Sequence, residues 1–157
     1  MRKFATALAV AATLAFVAAT PGHAAEQVKK ANVKTHHIAF QVDQNNPAVM
    51  NLVLNNVANL MTYYRDKGET AEIEVVAYGP GLNMLRADKS PVKGRLKNLK
   101  AVAFPSELTF SACHNTMMHM EKKEGHAIKI VSQARIVPAG VVRLTQLQEE
   151  GWAYIRP

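Results

Sequence analysis

A single cysteine stands in this chain, and it opens a run dense in groups suited to sulfur or soft-metal chemistry: Cys113-His114-Asn115-Thr116-Met117-Met118-His119-Met120. The apolar residues Leu108 to Ala112 before it read as a short strand, and Asn115 to Lys123 as a helix. Cys113 therefore falls where a strand ends and a helix begins. Free backbone N–H groups and the positive end of the helix dipole face a side chain at such a junction. They favour the thiolate, which is the nucleophilic form of the sulfur. A protonated His114 adds to that effect. The alternative is a small buried hydrophobe, a common fate of free cysteine.

The same run holds a second chemical possibility. On a helix, Cys113, Met117 and Met120 lie at i, i+4 and i+7, and a thiolate with two thioethers suits Cu(I), with His114 or His119 as further ligands. Equally, Met117 and Met120 can form the core face of an amphipathic helix, with Met118 and His119 toward solvent. The core account is preferred, because Met commonly fills gaps in cores.

Other glycines and polar residues are candidates of lower specificity. Gly79-Pro80-Gly81 permits close approach of a ligand or a neighbouring chain to the backbone. With His114, Asn115 and Thr116, Gly79 and Gly81 make up the expected ligand-binding set around a catalytic Cys113. The adjacent His36 and His37 point to opposite sides of a strand and read as a solvated strand start. Asn51, Asn55 and Asn59 form an amide stripe that reads as the polar outer face of a helix. No zinc-type Cys/His spacing, Walker loop, dinucleotide fingerprint, His-Glu-x-x-His motif or nucleophile elbow is present, so no cofactor is expected.

The elements that must position these residues alternate along the chain. A strand from His37 to Val42 is followed by Asn46 as a helix cap, with Pro47 at the first helical position. That helix runs to about Lys67, with Met50, Val53, Val57, Leu60 and Tyr64 at helical spacing and Gly68 closing it. A strand from Glu72 to Tyr78 precedes the Gly79 turn and a helical piece around Leu82 to Leu85. Ser90-Pro91 starts a helix with Val92, Leu96 and Leu99 on one face. After the cysteine segment come a strand from Arg135 to Val137, a turn at Pro138-Ala139-Gly140, and a helix from Val141 to Glu150. Val141, Leu144 and Leu147 are its expected inner side. Gly151 ends that helix, and Trp152 to Ile155 is the last strand.

Five strands alternating with helices predict a mostly parallel sheet covered on both faces. All the strand-to-helix connections then leave one edge of the sheet, where open α/β folds bind ligands. Those connections are Asp43 to Pro47, Gly79 to Gly81, Cys113 to Thr116 and Pro138 to Gly140.

Length and charge bound the remaining choices. A chain of 157 residues suits one domain, and hydrophobic residues at 48% with charged ones at 20% exclude disorder and a multi-span membrane protein. Residues 1–24 carry the three parts of a secretory signal. Arg2 and Lys3 are the basic start, Phe4 to Ala19 is uncharged, and Gly22 and Ala24 are the small residues before a cut. The expectation is export to the periplasm or beyond, with no membrane span after cleavage. Residues 25–35 read as a flexible lead and 36–157 as one domain. Cleavage removes two of the 19 bases and none of the 12 acids, so the net charge falls from +7 to +5. Six bases between Arg86 and Lys100 against one acid, Asp88, read as a solvated helix face. They lack the interleaved aromatics of a nucleic-acid surface, and none is expected as a partner.

Taken together, these residues resemble the DsrE/DsrF-like family of small α/β proteins associated with sulfur relay and sulfur oxidation. The resemblance rests on Asn51 to Asn56, Glu72 to Gly81, Ala112 to Met117, and the carboxyl-terminal run from Val137 to Leu144 and Leu147 to Pro157. It implies a three-layer α/β/α sandwich and assembly into trimers or hexamers. It also implies a cysteine that carries sulfur as a persulfide, and Cys113 matches that position. The partners so implied are sulfur donor and acceptor proteins or a small sulfane-sulfur compound, and the activity, if any, is sulfurtransferase-like. A Cu(I) module and a non-catalytic oligomer that binds a ligand or partner are the alternatives.

Overall fold

The structure, a computed structural model, describes residues 33–157. The expected signal at 1–24 and most of the lead at 25–35 lie outside the described residues. Five strands, β1 (Thr35–Val42), β2 (Thr70–Ala77), β3 (Glu107–Cys113), β4 (Ala134–Val137) and β5 (Ala153–Ile155), form one sheet in the order β4-β3-β2-β1-β5. Every pairing is parallel. Between them lie α1 (Pro47–Asp66), a 3₁₀ segment (Gly79–Leu85), α2 (Lys93–Ala101), α3 (His114–Glu124) and α4 (Gly140–Glu149). The first strand begins at Thr35, two residues before His37, because Thr35 pairs with Thr70.

The strand order explains the layers. From β1 to β4 each crossover steps the same way, and a right-handed connection then puts α1, α2 and α3 on one face. The step from β4 to β5 runs back across the sheet, so α4 must lie on the other face. Alternate strand residues follow this division. Phe40, Val75 and Phe110 join Met50, Leu54, Leu82 and Leu96 in the large core, whereas Ala39 and Val76 meet Leu144 and Leu147 of α4. The fold is thus the expected three-layer sandwich, with one face covered by α4 alone.

Local signals act largely as expected. The Asn46 side chain accepts from the Ala48 amide, Pro47 opens α1, and Gly68 at φ 70 ends that region. Two expectations on helix faces need correction. Val141 is 61% exposed, and the inner side of α4 is Gly140, Leu144 and Leu147. The register is set one residue earlier because Gly140 packs on the Tyr78 ring, which leaves no room for a side chain. The asparagine stripe is not simply a solvated face. Arg95 of α2 donates to the side chains of Asn51 and Asn55 at 2.6 and 2.7 Å, so two of its amides join α1 to α2.

Of the paired histidines, His37 is exposed as expected of a solvated strand start, whereas His36 is half-buried. His36 stacks on Tyr64 with ring centroids 3.8 Å apart and meets Glu69 at 2.8 Å, while His37 lies near Glu72 and Trp152.

Arg86 departs from the solvated basic face altogether. Its side chain is 0% exposed and binds Asp88 at 2.6 Å and Glu124 at 2.5 Å, tying the loop after the 3₁₀ segment to the end of α3. Hydrogen bonds from Arg86 hold Asp88 and Glu124 each down to about 2. Their folded pKa values lie below the ordinary carboxylate range of about 4, so their stabilisation is present above that range. It is lost as the pH falls from about 4 toward 2. Melting temperature measured against pH is expected to drop across this window, and to drop less in Arg86→Met; equal slopes would contradict the assignment.

Candidate functional site

Where adjacent strands send their following helices to opposite faces of the sheet, the strand ends part and leave a crevice. Here that switch falls between β3, which leads into α3, and β4, which leads into α4. Cys113 is the last residue of β3 and pairs in register with Val137 of β4. The cysteine therefore stands at the topological switch point itself, with two helix N-termini converging on it.

Cys113 occupies the position just before α3 and is 4% exposed. Its sulfur closes no full capping hydrogen bond. Burial works to raise its pKa, but the Thr116 hydroxyl and the backbone amides of Gly140, Thr116 and Asn115 act on the sulfur as donors and outweigh burial, so the thiol is lowered. The Thr116 hydroxyl oxygen accepts from the Gly79 amide at 2.9 Å, which leaves its proton free to turn toward sulfur. Asn115 donates its amide to Pro138 at 3.2 Å, locking the start of α3 to the β4–α4 turn. An anion at the sulfur is thus met by donors from two connections, those following β3 and β4, while the Gly79 amide after β2 orients the Thr116 hydroxyl.

Removing the hydroxyl isolates one of these contributions. A hydrogen bond to a charged group is worth about 1.5–3 kcal/mol, equivalent to about tenfold or more in thiolate population. Thr116→Val is expected to slow alkylation of Cys113 near neutral pH by about tenfold without unfolding the protein. An unchanged rate would remove Thr116 from the site.

The sequence-predicted residues divide clearly. Cys113, Thr116 and Gly79 come together, and the Asn115 amide ties the start of α3 to Pro138 while its side chain is exposed. His114 is exposed and nothing ties its ring to the sulfur. Gly81 has a packing role that the sequence does not show. A Cβ there would meet the Val42 carbonyl oxygen at 2.2 Å, so it is pressed on β1. Met117 is buried in the large core, and Met120 packs against it with Arg86 Nη1 3.9 Å from its sulfur. A guanidinium beside a thioether opposes a metal cation there. Met118 and His119 face solvent, as the core reading of this helix requires. Among the described residues, no three His, Cys, Asp or Glu side chains gather as a metal site.

Sequence reasoning missed several neighbours. Tyr78, at the end of β2, lays its ring over Gly140 and so holds the turn whose amide faces Cys113. Burial, then the nearby Asp43 and Tyr154, raise its pKa, so it keeps its proton at neutral pH. Asp43 in turn accepts from Gln41 at 2.8 Å and Arg156 at 2.9 Å. The Pro138-Ala139-Gly140 turn was a visible signal; Tyr78 follows from adjacency to Gly79 only once strand order is known.

Beneath α4, on the same sheet face as Cys113, lies a carboxylate that is 2% exposed. Glu74 accepts from Ser111 at 2.6 Å, from Arg135 at 2.8 Å, and from Nε and Nη2 of Arg143 at 3.0 and 2.8 Å. Burial works to raise its pKa, and these donors overcome that and lower it.

Comparison with known proteins places this geometry. The profile of the DsrE/DsrF-like family matches residues 36–157. No curated protein matches. Among solved structures, a protein of unknown function from Methanobacterium thermoautotrophicum is similar at 33% identity and a TM-score of 0.65, over 78% of this chain and 99% of that one.

Proposed function

This chain belongs to the DsrE/DsrF-like family, and from that premise we propose that it carries sulfane sulfur as a persulfide on Cys113. The observation that carries the reading is one buried sulfur at the switch point, where the Thr116 hydroxyl, oriented by the Gly79 amide, and the Gly140 amide lower its pKa against the effect of burial. A persulfide anion needs the same donors as a thiolate, since both place negative charge on sulfur in a confined site.

The chemistry is redox-neutral exchange. The Cys113 thiolate attacks the outer sulfur of a donor, a sulfur–sulfur bond forms as the donor's bond breaks, and the donor leaves with the electron pair. An acceptor thiolate then attacks the outer sulfur of the Cys113 persulfide and displaces the Cys113 thiolate. Low exposure of Cys113 limits access to small donors or an extended segment of a partner.

Export and assembly complete the proposal. Export rests on the sequence pattern of residues 1–24. Among the described residues no helix is long and apolar enough to cross a membrane. A trimer or hexamer is the assembly that membership of this family implies. Light scattering should give a mass that is a multiple of three chains; a monomer at working concentration would contradict assembly.

Carrier function is tested by handover. Protein loaded with polysulfide and freed of excess reagent is mixed with a small acceptor thiol, and both products are weighed. One sulfur atom should leave the Cys113 peptide and appear on the acceptor. A loaded protein that releases none to any acceptor thiol would make Cys113 a sink rather than a carrier.

A further inference from the structure

Glu74 and its two arginines are not used by the sulfur chemistry above, and their arrangement has an unspent capacity. One buried carboxylate needs one guanidinium for charge balance, yet two are bound to it. Arg135 spends Nε on Ser111 and Nη2 on Glu74. Arg143 spends Nε and Nη2 on Glu74. Among the described residues, Nη1 of Arg135 has no acceptor. Nη1 of Arg143 has only Glu150 at 3.8 Å, a half-exposed carboxylate beyond hydrogen-bonding distance. Both side chains wall a concavity of about 290 Å³ between β4 and α4, lined also by Ile136 and Val137 of β4, by the turn residues Pro138 and Ala139, and by Val142 and Gln146 of α4.

We propose that this concavity is a binding site for a small sulfur oxyanion of the sulfate or thiosulfate type. Glu74 acts as a positioning residue, since its two oxygens fix both guanidiniums and leave their remaining N–H groups for a second anion. The concavity also shares its wall with the reactive centre. Pro138 and Ala139 line it, and the next residue, Gly140, is among the backbone amides that favour the Cys113 thiolate. An anion held there lies on the far side of the turn that stabilises the thiolate. The location of the site stands on geometry alone, and the sulfur character of its ligand rests on the reading of Cys113 as a sulfur carrier.

Calorimetry on the Cys113→Ser protein, which cannot accept sulfur, separates binding from transfer. Sulfate, thiosulfate and acetate are titrated at low ionic strength. Thiosulfate and sulfate should bind, and acetate at least tenfold more weakly. Arg135→Gln keeps Arg143 on Glu74, and Gln146→Glu adds a negative charge to the wall without touching Glu74. Each should weaken binding at least tenfold with the melting transition preserved. No heat of binding to the folded protein, or affinity unchanged in both variants, would overturn the site. Acetate binding as tightly as thiosulfate would overturn the ligand class. Sulfur loading of the unmodified protein by uncharged donors does not depend on any of these outcomes, so a failed site and a failed carrier function are told apart.

Discussion

Gly81→Ala is expected to destabilise the protein by more than about 3 kcal/mol, beyond the usual cost of overpacking, which is about 1–3 kcal/mol. The new Cβ would stand 2.2 Å from the Val42 carbonyl oxygen, 2.5 Å from its carbon and 2.8 Å from the Asp43 amide. All three are backbone atoms, so no flexible side chain can swing aside. Nor can β1 retreat. Val42 pairs with Ala77, and its carbonyl accepts from the Tyr78 amide at 3.1 Å. Domains of this size have about 5–15 kcal/mol in total, so the variant should melt on the order of 10 °C lower or fail to fold. Gly94→Ala is the control, because nothing lies within 4 Å of its Cβ position and it sits inside α2. It should raise stability by about 0.5–1 kcal/mol. Equal melting of the two variants would contradict the packing role given to Gly81.

Cys113→Ser should have the opposite profile: an intact fold and no sulfur acceptance. Serine nearly matches the thiol in size, and its oxygen can take the donors that Thr116 and Gly140 present. The melting temperature should stay within a few degrees of the parent, on the scale of about 1 kcal/mol. Sulfur uptake from polysulfide, by contrast, should fall to the background of a protein without thiols, since Cys113 is the chain's single cysteine. Retained uptake would place the sulfur elsewhere in the molecule.

How far the sequence reaches into this site depends on how local each feature is. The junction of strand, cysteine and helix is written in consecutive residues from Leu108 to Thr116, and the structure keeps it there. The cap at Asn46-Pro47 is local for the same reason. What lies across strands is not legible in one pass. The Gly140 amide reaches Cys113, and the Tyr78 ring lies over Gly140, because β2, β3 and β4 are neighbours, and only the observed order shows that the switch point lies between β3 and β4. Glu72 and Glu74 alternate with Ile73 and Val75, and nothing in that alternation marks Glu74 as a buried ion-pair centre. Glu74 is buried because α4, brought over by the long crossover, carries Arg143 onto it.

The helix corrections share one cause. Val141 looks internal because it is apolar, but the contact of Gly140 with Tyr78 fixes the rotation of α4 and turns Val141 outward. Arg86 looks like one more surface base, and a carboxylate 38 residues away on α3 draws it inside. In both cases hydropathy was overruled by a specific partner on another element.

The most direct test of the central claim is the mass of Cys113 after exposure to a sulfane donor. Reduced protein is incubated with polysulfide, cleaned of reagent, digested without reductant and weighed. The peptide containing Cys113 should gain one sulfur atom, the gain should be reversed by reductant, and the rate of gain should already be substantial at a pH below the ordinary thiol value of about 8.5. A folded protein whose Cys113 remains an unmodified thiol with every sulfane donor would contradict it.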